Sequence, residues 1–162
     1  MLNLSLCVTD MCIFQHPSAG GSTEIYPLEG DLRCVNVRPE KLIDQTLIYF
    51  GSNIRTRRQS AKVLTGYTHH LPVIIEPTLE WMYYPVHQSK AHFQLFLNYK
   101  SIYHFEGNKH QTTIYFINGS LIEVPQNVSF VQKQHQKALY LADVQAKLIK
   151  RQLHMSHRLK AY

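Results

Sequence analysis

The chain has 162 residues, 44% of them hydrophobic, and its seventeen basic and eleven acidic residues give a formal net charge of +6. That length and composition indicate one folded domain over 1–162 and argue against a disordered chain. The basic balance favours an anionic partner, and no apolar run is long enough for a membrane-spanning helix.

The first stretch, MLNLSLCVTDMCIFQH, has no basic leader and is interrupted by Asp10, so it does not read as a signal peptide. The three cysteines, Cys7, Cys12 and Cys34, are then expected as reduced, mostly core thiols of a cytoplasmic protein. The Asn-x-Ser triplets at Asn3, Asn118 and Asn127 become incidental.

The first ninety residues read as short strands cut by turns. SAGGSTE (18–24) is a loop by composition. LRCVNV (32–37), LIYF (47–50), PVIIEP (72–77) and WMYYPV (81–86) read as strands, the last ended by Pro85. HFQLFL (92–97) and IYHF (102–105) continue the series. TTIYFINGSLIEVP (112–125) predicts a hairpin closed by a type I′ turn at Asn118-Gly119, with Ile114 and Phe116 on one face and Tyr115 and Ile117 on the other.

From about Asn127 the apolar period lengthens to that of a helix, and Ser129 with Gln132 fits a capping box. Val131, Ala138, Leu141, Ala142, Leu148 and Ile149 fall on one face. Lys133, Lys137, Lys147 and Arg151 fall on the opposite face, with Tyr140 among them. The predicted fold is α+β: a β-rich antiparallel sheet or partly open barrel with an amphipathic C-terminal helix.

Charge is concentrated in two places. FGSNIRTRRQSAK (50–62) carries Arg55, Arg57, Arg58 and Lys62, and no Asp or Glu lies between Asp44 and Glu76. The other concentration is the helix from residue 131 onward, with seven basic residues and one acidic. The segment 51–62 reads either as a solvated loop or as a phosphate and groove contact. In the second reading Gly51, Ser52 and Asn53 offer backbone donors, and the arginines suit phosphate or a narrow minor groove. The cationic helix face favours the second reading.

No phosphate loop, nucleophile elbow or paired-carboxylate motif is present, so no catalytic residue and no cofactor are predicted. His69-His70 and Cys7-x4-Cys12 lack the spacing of a metal site, and no metal is predicted. Tyr49, Phe50, Trp81, Tyr83, Tyr84, Phe93, Phe96, Tyr115 and Phe116 lie on predicted strands. They could form a stacking platform for single strands, but most are expected in the core.

The ordered set is distinctive: Phe50-Gly51-Ser52, Arg57-Arg58, Leu71-Pro72-Val73-Ile74, Glu76-Pro77, Tyr84-Pro85 with Ser89, Phe116-Ile117-Asn118-Gly119 and Ile122-Glu123-Val124-Pro125. Over about residues 29–150 it resembles the competence transcription factor (ComK) family of Gram-positive bacteria. The resemblance implies a cytoplasmic, non-enzymatic activator of DNA-uptake genes. It implies binding to AT-rich boxes in double-stranded promoter DNA, largely through the minor groove, as a homo-oligomer. It also implies control by a protease adaptor, and no membrane partner. Gly51, Ser52 and Arg57 match the family's Phe-Gly-Ser and Gly-Arg segment, Arg58 matches a basic position after it, and Thr56 stands where the family usually has Gly.

Three readings remain at this point. They are the DNA-binding activator, a single-stranded nucleic-acid or RNA module, and a regulator acting through protein partners alone. The predicted DNA-binding set is Gly51, Ser52, Arg55, Arg57, Arg58, Lys62, Lys133, Lys137, Lys147 and Arg151.

Overall fold

The computed structural model describes residues 5–18 and 20–161, which leaves the first four residues of the start (among them Asn3 and Leu4 of the first Asn-x-Ser triplet), Ala19 of the predicted loop and Tyr162 outside. Nine strands and three α-helices are arranged around two antiparallel sheets among the described residues. β1 (Asp10–Gln15), β2 (Thr23–Pro27) and β3 (Arg33–Val35) lead to α1 (Pro39–Leu47) and α2 (Ile54–Thr65). β4 (Val73–Glu76), β5 (Trp81–Pro85), β6 (Gln94–Asn98) and β7 (Ile102–Gly107) follow. β8 (Thr112–Phe116), β9 (Leu121–Val124) and α3 (Val128–Lys160) complete the fold.

The larger sheet has the order β3-β2-β1-β6-β5-β4 and is open, so the α+β expectation holds with a sheet rather than a barrel. Its central strands bury both faces, which explains why their sequences run apolar instead of alternating. On one face Ile13, Phe96 and Tyr83 pack with Leu42, Ile43 and Leu47 of α1. On the other, Phe14, Leu95 and Tyr84 meet the small sheet β7-β8-β9 and the first half of α3. Tyr83 is fully buried, and its hydroxyl donates to the Asp10 carbonyl at 2.9 Å.

Several expectations change. LIYF (47–50) is not a strand: Leu47 ends α1, and 48–50 form a single 3₁₀ turn stopped by Gly51 at φ 68°. The segment 54–65 is a helix, not a loop. It contains no Pro or Gly, and Asn53 caps it by accepting the Thr56 N–H at 2.8 Å. Its short apolar face and many charges hid that period.

The hairpin exists, but its turn differs. The N–H of Gly119 donates to the Phe116 carbonyl, and the N–H of Phe116 donates to the Ser120 carbonyl. Only Gly119, at φ 88°, is left-handed; Asn118 is not. This is a three-residue loop with a glycine bulge, not a type I′ turn.

Asn127, not Ser129, caps α3 by accepting the Ser129 N–H at 2.8 Å. Cys12 is buried in β1, whereas Cys7 and Cys34 are exposed free thiols rather than core residues.

Candidate nucleic-acid interface

Folding sorts the cations of α2 by the helical period. Arg55, Gln59 and Lys62 share one exposed stripe, because residues four and seven apart align. Arg57 falls on the other side with Ile54, Ala61 and Leu64 and faces the body. Its Nη2 donates to the Ile75 carbonyl at 3.0 Å. Arg58 lies at the flank and donates to Oε1 of Glu40 in α1 at 3.0 Å. Among the described residues, Arg55 and Lys62 make no ion pair. A shallow groove of about 570 Å³ lies beside this stripe, lined by Arg55, Thr56, Gln59, Ser60, Val63 and Leu64 but not by Lys62.

The start of α2 carries three arginines within its first five residues, where a helix prefers negative charge. Asp44 of α1 supplies that charge: its Oδ1 accepts the Ile54 N–H at 2.6 Å. Two of the three donors expected at the preceding turn are also engaged internally. Gly51 N–H donates to Ile48 and Ser52 N–H donates to Leu47. Gly51 and Ser52 therefore shape the entry to α2 and do not present those N–H groups to a ligand.

The second basic segment is also divided. Lys133 and Arg151 are exposed, and Lys147 pairs with Asp143 one turn away at 2.9 Å. Lys137 turns inward, donating to the His69 carbonyl at 3.1 Å with its ammonium 5.3 Å from the Tyr67 ring centroid. Burial lowers its pKa below the usual lysine value.

The two basic helices meet. Ala61 and Leu64 of α2 pack in the same core as Val131, Ala138 and Leu141 of α3. Just past α2, the Tyr67 ring meets Tyr140 edge to face at 6.0 Å. Gln134, buried in the middle of the apolar face of α3, ties the intervening segment down. It donates through Nε2 to the carbonyls of His70 (2.7 Å) and Pro85 (2.9 Å). The sequence pattern gave no prominence to Gln134, Asp44 or Tyr67, since each matters through a partner outside its own element.

Most of the strand aromatics went inside. Trp81, Tyr83, Tyr84, Phe93, Phe96 and Phe116 are buried, while Tyr49 is exposed and Phe50 and Tyr115 are half-buried. Among the described residues, no group of three or more His, Cys, Asp or Glu is placed to hold a metal ion. No helix among them is long and apolar enough to cross a membrane.

A curated relative, the competence transcription factor of Bacillus subtilis (strain 168), is 21% identical over 108 residues. That match covers 66% of this chain and 56% of the relative, so the chain spans little more than half the length of the curated protein it resembles. No solved structure matches the chain. The model of the ComK protein family matches residues 6–151, nearly the whole chain and wider than the motifs alone reach, and the chain belongs to that family.

Proposed function

We propose that this protein is a DNA-binding transcriptional activator of competence genes, and that it grips AT-rich promoter boxes largely through the minor groove. It acts by binding in the cytoplasm, without a catalytic step or cofactor, and it assembles as a homo-oligomer on double-stranded DNA. A protease adaptor that limits its level belongs to the same reading. The observation that carries it is the meeting of two cationic helices in a chain of the ComK family.

The residues take different roles. Arg55 and Lys62 reach the groove or its phosphates from the exposed stripe of α2. Lys133 and Arg151 add backbone affinity from α3, with Lys147 beside them. Gly51, Ser52, Arg57 and Lys137 hold the two helices in place, and Arg58 stands between the roles through its bond to Glu40. The burial of most strand aromatics weighs against a single-strand stacking platform.

Fluorescence anisotropy on an AT-box duplex, a GC-rich duplex and a single strand, each at two salt concentrations, tests the reading. Tightest binding to the AT duplex with a steep salt slope is expected. Preference for the single strand would replace it with the stacking reading. No binding to any probe would leave a regulator that works through proteins.

A further inference from the structure

The last third of α3 leaves the body. From Lys150 to Ala161 every residue is exposed, and Leu159 is 75% exposed. Leu148, Gln152, Met155 and Leu159 follow at four, three and four residues, which places them in one stripe. At about 100° per residue, Arg158 borders that stripe on one side and Lys160 on the other. No Asp or Glu occurs from Val144 to Ala161.

The small sheet offers the opposite chemistry. Its inner face is buried through Ile114, Phe116, Ile122 and Val124, and its outer face is open. The strand register aligns Glu106, Thr113 and Glu123 in one row, and His104, Tyr115 and Leu121 in the next. Tyr103, 78% exposed, and Ile117 extend the apolar part. Tyr115 donates to Glu106 and Gln111 donates to Glu123, which holds both carboxylates on this face.

We propose that the projecting end of α3 docks on the outer face of β7-β8-β9 of a second copy of this chain. The Leu148–Leu159 stripe lies on Tyr115, Leu121 and Ile117, with Arg158 and Lys160 against Glu106 and Glu123. The dimensions agree: Leu148 to Leu159 spans about 16 Å of helix, and a five-residue strand is about 17 Å long. Exchanged in both directions the contact closes a dimer; given in one direction it continues head to tail.

Charge selects this occupant over others. Two α3 ends side by side would bring Arg151 and Arg158 of one copy towards those of the other. A bilayer surface favours Trp or Phe on the buried face, and residues 141–161 contain neither. The acidic sheet face belongs to the same molecule, so every solution of this protein contains the complementary surface.

This inference rests on the homo-oligomer part of the reading above, but its residues lie outside the DNA-binding set. Sedimentation velocity of the full chain, from low to high micromolar, reads the association directly. We expect reversible self-association that Arg158→Glu/Lys160→Glu and Glu106→Lys/Glu123→Lys each weaken about tenfold or more. Combining all four substitutions in one chain should restore it. Circular dichroism on each variant checks that these exposed changes leave the fold intact.

A protein that stays monomeric overturns the proposal. So does association that the helix variant breaks while the sheet variant does not, because that pattern belongs to helix–helix pairing. Recruitment to anionic lipid vesicles by a chain that does not self-associate overturns it in favour of a membrane surface. The duplex titration separates the two readings: association without DNA binding removes only the DNA role, and one-to-one DNA binding by a monomer removes only the docking.

Discussion

The guanidinium of Arg57 caps the main-chain carbonyl of Ile75 at 3.0 Å. Ile75 sits in a bulge of β4, between the paired Ile74 and Glu76, and β4 is an edge strand. An edge carbonyl needs a partner that another strand would otherwise supply. One residue of the basic run therefore serves the fold. Its neighbours on the opposite side of α2 remain free for a ligand.

Arg57→Ala should thus act on stability. It removes a charged donor and leaves a buried-edge carbonyl unpaired, a loss of about 2 kcal/mol. Urea denaturation should show a lower midpoint, while the salt slope of DNA binding stays close to that of the parent. A normal midpoint with a shallower slope would place Arg57 on the DNA instead.

The exposed stripe predicts the reverse. Arg55→Ala and Lys62→Ala touch no ion pair among the described residues. Unfolding should be nearly unchanged, and each substitution should lower the salt slope of DNA binding by about one. Binding that ignores both changes would move the interface away from α2.

Protonation supplies a third prediction. Burial holds the pKa values of His87 and His135 below the usual histidine value. His87 Nδ1 accepts the Leu95 N–H at 3.0 Å, and His135 Nδ1 lies 2.7 Å from the hydroxyl of the buried Tyr84. Both sites favour the neutral ring. The unfolded chain then takes up protons before the folded one does, so stability is full above about pH 6.5 and falls as the pH drops towards the lowered folded values. Urea midpoints should decline from pH 7.5 to about pH 5.5. His135→Gln should flatten that decline while lowering stability at neutral pH. A midpoint that rises on acidification would contradict the assignment.

The sequence was most informative where the chain's local chemistry agrees with its fold. The strands from Val73 to Val124 and the start of α3 follow their apolar patterns and turn residues. α1 and α2 were missed because their apolar faces are short: α2 buries only Ala61 fully. The positive run hid its own division, since nothing local marks Arg57 as the partner of Ile75 or Arg58 as the partner of Glu40. Those pairs are eighteen residues apart and become neighbours only after α1, α2 and β4 have packed. The cationic face of α3 was legible as a pattern, but the inward turn of Lys137 depends on Tyr67 and His69.

Gln134 tests whether the two basic helices act as one surface. It is 1% exposed, in the middle of an otherwise apolar stripe, and its amide donates to two carbonyls, those of His70 and Pro85. Gln134→Met keeps the volume but removes both donors, leaving two carbonyls short of partners at a cost of about 2–3 kcal/mol. The segment 67–70 then loses its buried tie to α3 at His70 and is left with the more exposed contacts of Tyr67 and His69 to Tyr140 and Lys137, which loosens their position. Duplex affinity should fall severalfold even under conditions where the variant is fully folded, although no cation has been removed. Hydrogen exchange of residues 67–70 should quicken in parallel. Unchanged affinity together with faster exchange would show that α2 and α3 bind DNA independently, and that the seam between them serves the fold alone.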